Sequence, residues 1–167
     1  LANKKPDEAL KIFEDSLENN PGMSRFKETT LGKMEALIEV GRLDDAEKLG
    51  LQIVGDKMFR GESAAKAMLM LGQIYRNQAK KANGVDEKVG LFKKAYAQFQ
   101  RVYVSYQAVP EICADAYWEA YKTALDDLGN QELAASTLKT LKEHPKLQNT
   151  QRVKNLGRIP ATLLRKQ

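Results

Sequence analysis

Apolar residues recur along the chain at intervals of three and four, the spacing of one buried helix face. Ala9, Ile12, Phe13, Ser16 and Leu17 form the first stripe. Pro6 suits its first turn, where a missing N–H costs nothing, and Asn19-Asn20-Pro21-Gly22 stops it. Phe26, Thr30, Leu31, Met34, Leu37 and Ile38 predict a second helix, with Ser24 as its cap and Gly41 as its end. A third carries Ala46, Leu49 and Ile53 before Gly55, with Asp44 and Asp45 in its first turn. The same pattern then returns. Glu62 to Gln78 predicts a helix with Met68, Leu71, Gly72 and Tyr75 inward, followed by a polar interruption from Lys80 to Gly84. Asp86 to about Tyr106 predicts another, its face made of Leu91, Phe92, Ala95, Phe99, Val102 and Tyr103. Pro110 opens the next, with Ile112, Ala116, Trp118, Tyr121 and Leu125 before Gly129. A last clear helix holds Leu133, Ala134, Leu138 and Leu141 and stops before Pro145. Arg101-Val102-Tyr103-Val104 looks strand-like alone but continues a helical face, and no stretch sustains period-two alternation. The expectation is an all-α fold.

The stripes also repeat among themselves. Trp118, Tyr121, Leu125, Gly129, Ala134, Leu138 and Leu141 follow successive spacings of 3, 4, 4, 5, 4 and 3. This resembles the tetratricopeptide (TPR) signature. Met68, Leu71, Gly72 and Tyr75 match one part of it, Leu37, Gly41 and Ala46 another, and Ala9, Phe13 and Pro21 a third. The resemblance implies antiparallel helix hairpins stacked as a right-handed α-solenoid. Small residues such as Gly72 and the alanines would let paired helices approach, and glycines such as Gly41 and Gly129 would end first helices in the left-handed conformation. Each hairpin alone leaves an apolar face that the next one covers.

The predicted organisation is a helical repeat domain over 1–145 and a basic segment over 146–167. The domain holds an orphan helix at about 6–20 and hairpins at about 23–56, 61–106 and 110–144. The repeat is irregular. Ala9, Ala46, Ala95 and Ala134 are 37, 49 and 39 residues apart, against the usual 34. Gly72 and Ala95 are 23 apart where the family spacing is about 12, so the excess falls in the middle hairpin. Met34 and Lys122 are large where a small residue is usual. Ala95 to Val102, with Tyr106, Pro110 and Ala116-Tyr117, is similar to TPR modules of bacterial envelope proteins such as outer-membrane assembly lipoproteins and cell-division coordinators. That likeness implies a bacterial origin and a periplasmic or envelope-associated location over a cytoplasmic one. The chain opens at Leu1 inside what reads as a repeat, which predicts a fragment or processed form.

Charge changes the picture only at one end. Residues 1–138 carry 19 Lys/Arg against 21 Asp/Glu, a net of −2, while residues 139–167 carry 8 against Glu143 alone, a net of +7. Arg152, Lys154, Arg158, Arg165 and Lys166 could meet phosphates of nucleic acid or an anionic membrane surface. No aromatic for base stacking follows Tyr121, however. Leu147, Val153, Leu156, Ile159, Leu163 and Leu164 instead predict a segment that caps the stack, and nucleic acid is not the expected partner. No apolar run is long enough to span a membrane.

Catalytic chemistry finds little to stand on. One cysteine, Cys113, excludes an internal disulfide, and one histidine, His144, excludes a multi-histidine metal site. Cys113 reads as a small buried residue and His144 as a helix C-terminal residue. The acidic pairs Asp44-Asp45, Asp86-Glu87 and Asp126-Asp127 each fall near a predicted helix end, where carboxylates are favourable or solvated. Trp118, Tyr75 and Tyr121 read as core. No phosphate loop, dinucleotide fingerprint, zinc spacing or nucleophile elbow is present. The expectation is a non-catalytic protein without metal or cofactor.

In the TPR family the first helices of successive hairpins line a concave groove. The resemblance places Glu35, Gln73 and Thr123 at one groove position, Ile38, Arg76 and Asp126 at the next, Glu39, Asn77 and Asp127 beside it, and Lys66 earlier. This lining lacks the dense basic clamp that holds a peptide carboxylate. The implied function is a scaffold for a protein or peptide partner. Alternatives are the basic segment as a nucleic-acid or membrane binder, and self-association through an exposed end of the stack.

Overall fold

The computed structural model describes residues 6–157. These form eight α-helices and, among the described residues, no strand. They are α1 (Pro6–Asn19), α2 (Phe26–Glu39), α3 (Leu43–Gly55), α4 (Glu62–Lys81), α5 (Val85–Ser105), α6 (Pro110–Lys122), α7 (Gln131–Glu143) and α8 (Gln151–Leu156). Short 3₁₀ turns at Lys57–Phe59 and Pro145–Leu147 link α3 to α4 and α7 to α8. Each helix from α1 to α6 packs on its successor. A second set of contacts joins alternate helices: α2 on α4, α4 on α6, and α6 on α8.

The excess spacing of the middle hairpin is absorbed by helix and not by loop. α4 runs 20 residues and α5 runs 21, and only Ala82, Asn83 and Gly84 separate them. Lys80 and Lys81 thus belong to the last turn of α4, where their charge faces the negative helix end, and not to an interruption. The α4–α5 contact is the most extensive in the chain. Gly72 makes it possible: a Cβ built there would sit 2.3 Å from the fully buried ring of Phe99. Gly50 plays the same part on α3, where a Cβ would meet Met34 and Leu71. Ala46, Ala95 and Ala134 are buried, as small residues at a close approach should be.

Helix ends follow the sequence in some places and depart from it in others. Gly41 and Gly129 take φ values of +80° and +62°, a region costly for residues with a Cβ. Ser24 does not cap α2. Arg25 holds that position, and no side chain accepts from the first turn. Asp44, Asp45, Asp86 and Glu87 lie in first turns, of α3 and α5. α6 does not run straight to Gly129 but widens into a π turn over Thr123–Asp127. Phe59, in the 3₁₀ turn after α3, is buried and its ring lies 6.0 Å from that of Phe26.

After α7 the chain folds back onto α6. Leu147 and Leu156 are buried in the main core cluster, with Val153 packed against it. Arg158, Ile159, Leu163, Leu164, Arg165 and Lys166 lie outside the described residues. Among the described residues, no helix is long and apolar enough to cross a membrane.

Two glycines in helix interiors separate packing from propensity. Gly72→Val should destabilise the chain by about 1–3 kcal/mol through overpacking against Phe99. Gly90→Ala, with nothing within 4 Å of the new Cβ, should stabilise it by about 0.5–1 kcal/mol. Urea unfolding of both variants checks the pair.

Candidate functional site

The expected groove residues divide into two groups along the row α2, α4, α6. Glu35 and Glu39 are exposed on α2, while Gln73 and Asn77 are half-buried on α4. None of the four side chains makes a hydrogen bond or ion pair among the described residues. The same holds for Lys80, one turn beyond Asn77. Here the α2–α4 seam opens into a depression of about 300 Å³ lined by Ile38, Glu39, Gly41, Leu43, Asn77, Lys80 and Lys81. Its wall carries free acid, free amide and free ammonium groups around the apolar side chains of Ile38 and Leu43.

The α4–α6 seam is closed. The Arg76 side chain is only 13% exposed, and its Nε donates to Asp127. Its Nη1 donates to Glu119 at 3.3 Å, and its Nη2 lies 3.8 Å from Asp126. Lys122 adds a second cation 2.8 Å from Glu119. The π turn brings Asp126 and Asp127 to the same arginine, with the Leu128 N–H donating to the Thr123 carbonyl. Thr123 is fully buried and its hydroxyl donates back to the Glu119 carbonyl. It therefore offers no surface to a partner, against the reading that put it in the groove lining. Lys66 is exposed and paired with Glu62 at 2.7 Å.

A second depression, of about 720 Å³, adjoins the first at Gly41, Leu43 and Lys81 and is bounded by α3, the end of α4 and the first half of α5. Glu47 sits on its wall. Burial pushes the Glu47 carboxyl up, but hydrogen bonds from Gln78 and Tyr75 and the nearby Lys94 ammonium outweigh burial, leaving it below the usual glutamate value. Lys94 stands 3.4 Å from Glu47 and 3.8 Å above the Tyr75 ring. A lowered carboxyl stabilises the fold fully above its unfolded value, and that contribution is lost as pH falls through the folded value. The cluster satisfies itself, since cation, anion and ring are all partnered.

Cys113, Tyr103 and Trp118 lie in or against the core. Cys113 is fully buried, its Sγ 3.6 Å from the Tyr103 carbonyl, and burial pushes the thiol up to about 11. Burial likewise raises Tyr103, whose ring stacks on Tyr117 at 3.8 Å. Trp118 is half-buried against both core clusters. Arg152 of the basic segment donates from Nε and Nη2 to Asp115 at 2.9 and 2.8 Å and lies 5.5 Å from the Trp118 ring centre. That guanidinium is engaged within the chain. Among the described residues, no group of three or more His, Cys, Asp or Glu could hold a metal ion.

Removing Arg76 should leave Glu119 and Asp127 as adjacent, poorly solvated carboxylates. Arg76→Ala is expected to cost about 2–4 kcal/mol in urea unfolding, whereas Lys66→Ala, at an exposed pair, should stay within about 0.5 kcal/mol. Native Cys113 at pH 8 should react with a small thiol reagent at least about a hundredfold more slowly than in the unfolded chain, because its thiolate fraction is low and its path is blocked. Compared with protein-family models, with curated proteins and with solved structures, the chain matches none.

Proposed function

We propose that the chain is a non-catalytic, TPR-like scaffold that holds a protein or peptide segment along the α2–α4 wall. One observation carries this reading. Among the described residues the side chains of Glu35, Glu39, Gln73, Asn77 and Lys80 on the α2–α4 seam have no partner, while Arg76, Glu119, Asp126 and Asp127 of the α4–α6 seam are consumed by one another. Unpaired polar groups beside apolar side chains give a surface that can satisfy a polypeptide, with amide and charge for orientation and Ile38 and Leu43 for burial. The alternate contacts of α2, α4 and α6 support a hairpin stack, in which these helices would share one wall. The binding segment follows from the same seam: Glu35, Glu39, Gln73, Asn77 and Lys80 make the contact, and Arg76 and Asp126 bound it.

Selection of peptides from a displayed random library against the folded chain provides the test. Selected peptides should lose at least about tenfold in affinity on Asn77→Arg or on Glu39→Arg, a change of about 1.4 kcal/mol. They should keep it on Lys139→Glu, on the exposed face of α7. Peptides indifferent to both seam substitutions would remove the α2–α4 assignment.

A further inference from the structure

The six residues of α8 are too few to form a helix alone, so its helical state is a consequence of docking on α6. The receptor surface on α6 is complete. At one end the carboxylate of Glu111 accepts the backbone N–H of Gln151, with its two oxygens at 3.2 and 3.3 Å. One turn along, Asp115 accepts two N–H groups of Arg152, whose guanidinium also faces Trp118. Leu156 is buried beyond them, and Leu147 and Thr150 are buried just before the helix. Glu111, Asp115 and Trp118 follow at i, i+4 and i+7, one stripe of α6. The stripe therefore recognises a helix start, an arginine in the first turn, and apolar side chains one and four residues after that arginine.

The polar clasp on the occupant is lightly held. The Arg152 and Asp115 side chains remain 33% and 42% exposed, so water reaches the ion pair. No ion pair or side-chain hydrogen bond joins α8 to α7 among the described residues. Leu156 and Val153 seat α8 on the core, and the tether adds a local concentration in the millimolar range. A longer helix of the same face would add contacts along α6 that six residues cannot reach.

We infer that the Glu111–Asp115–Trp118 stripe is a helix-docking site, covered in the isolated chain by α8. Its exchange partner is an amphipathic helix of another protein, with an arginine in its first turn and apolar residues one and four positions later. Charge complementarity selects that partner: two carboxylates await a helix N-terminus and a guanidinium. α8 acts as an intramolecular stand-in that hides Trp118 and the apolar slot until the partner arrives. This site does not depend on the α2–α4 reading and lies on different residues.

The test uses a fluorescent synthetic peptide of residues 144–157 and the full chain in three forms: native, Arg152→Asp with Leu156→Asp, and that double variant with Asp115→Arg added. Circular dichroism checks that each stays folded. Should the double variant unfold, Arg152→Glu alone carries the same comparison. The peptide should bind the undocked variant at least tenfold more tightly than the native chain, and Asp115→Arg should abolish that gain. Asn77→Arg should leave it unchanged, which separates this site from the groove. Equal binding to native and undocked chains, or none to a folded undocked chain, would overturn the inference. Sedimentation showing that the native chain dimerises, with the dimer lost on Asp115→Arg, would assign the site to a second copy and overturn the partner.

Discussion

The close crossing of α4 and α5 at Gly72 and Phe99 is the constraint on which the rest of the molecule depends. α4 touches α2, α3, α5 and α6, so its position fixes both sides of the stack. A glycine lets the Phe99 ring enter the space that a side chain would occupy. Dispersion attraction falls off within an ångström, so this proximity is worth more than the area alone suggests. The length of both helices then has a use. Their extra turns stretch the contact well beyond the crossing, and the hairpin becomes a rigid spine for its shorter neighbours. Those neighbours have less to offer by themselves: α1, α2, α3, α6 and α7 are 13 or 14 residues long, near the limit at which an isolated helix is marginal in water.

Much of this was legible because helix periodicity and helix punctuation are local signals. Gly41 and Gly129 follow the last turn of their helices, where only a residue without a Cβ is comfortable, and both take positive φ. The alanines at the closest approaches are marked by size. Ser24 failed as a cap because capping needs the helix to begin at the next residue, and α2 begins at Phe26. Phe59 was missed because it lies in a three-residue turn with no periodicity to flag it. The helices themselves were visible, but the sequence spacing could not say whether the excess before Ala95 would be loop or helix.

The candidate wall was read less well, for a reason of range. Arg76 and its acids are 43 to 51 residues apart, and nothing local announces that they meet. Counting charges at groove positions treats each as free. Burial of the pair withdraws Arg76 and most of Glu119 from the surface, Thr123 continues the buried face of Ala116 and Ala120, and the π turn that begins there delivers Asp126 and Asp127 to the arginine. A π turn inserts one residue into the helical register, so every position after it is displaced from where a regular helix would carry it. The resemblance assumed regular register there.

α6 emerges as an acidic helix held between two arginines from its flanking neighbours. Arg76 of α4 takes Glu119, Asp126 and Asp127 near its C-terminal end, and Arg152 of α8 takes Asp115 near its N-terminal end. The two clasps differ in kind. Three acids around one arginine that is mostly withdrawn from water make an arrangement that cannot lose its cation cheaply, since the remaining carboxylates would face one another. One acid and one arginine, both wet, exchange at little cost. The first clasp therefore belongs to the architecture and fixes the α4–α6 angle. The second is the outer part of a contact whose inner part is apolar: Leu156 and Val153 reach the core beside it. The asymmetry between a clasp withdrawn from water and a wet one is thus set by the two arginines that flank α6.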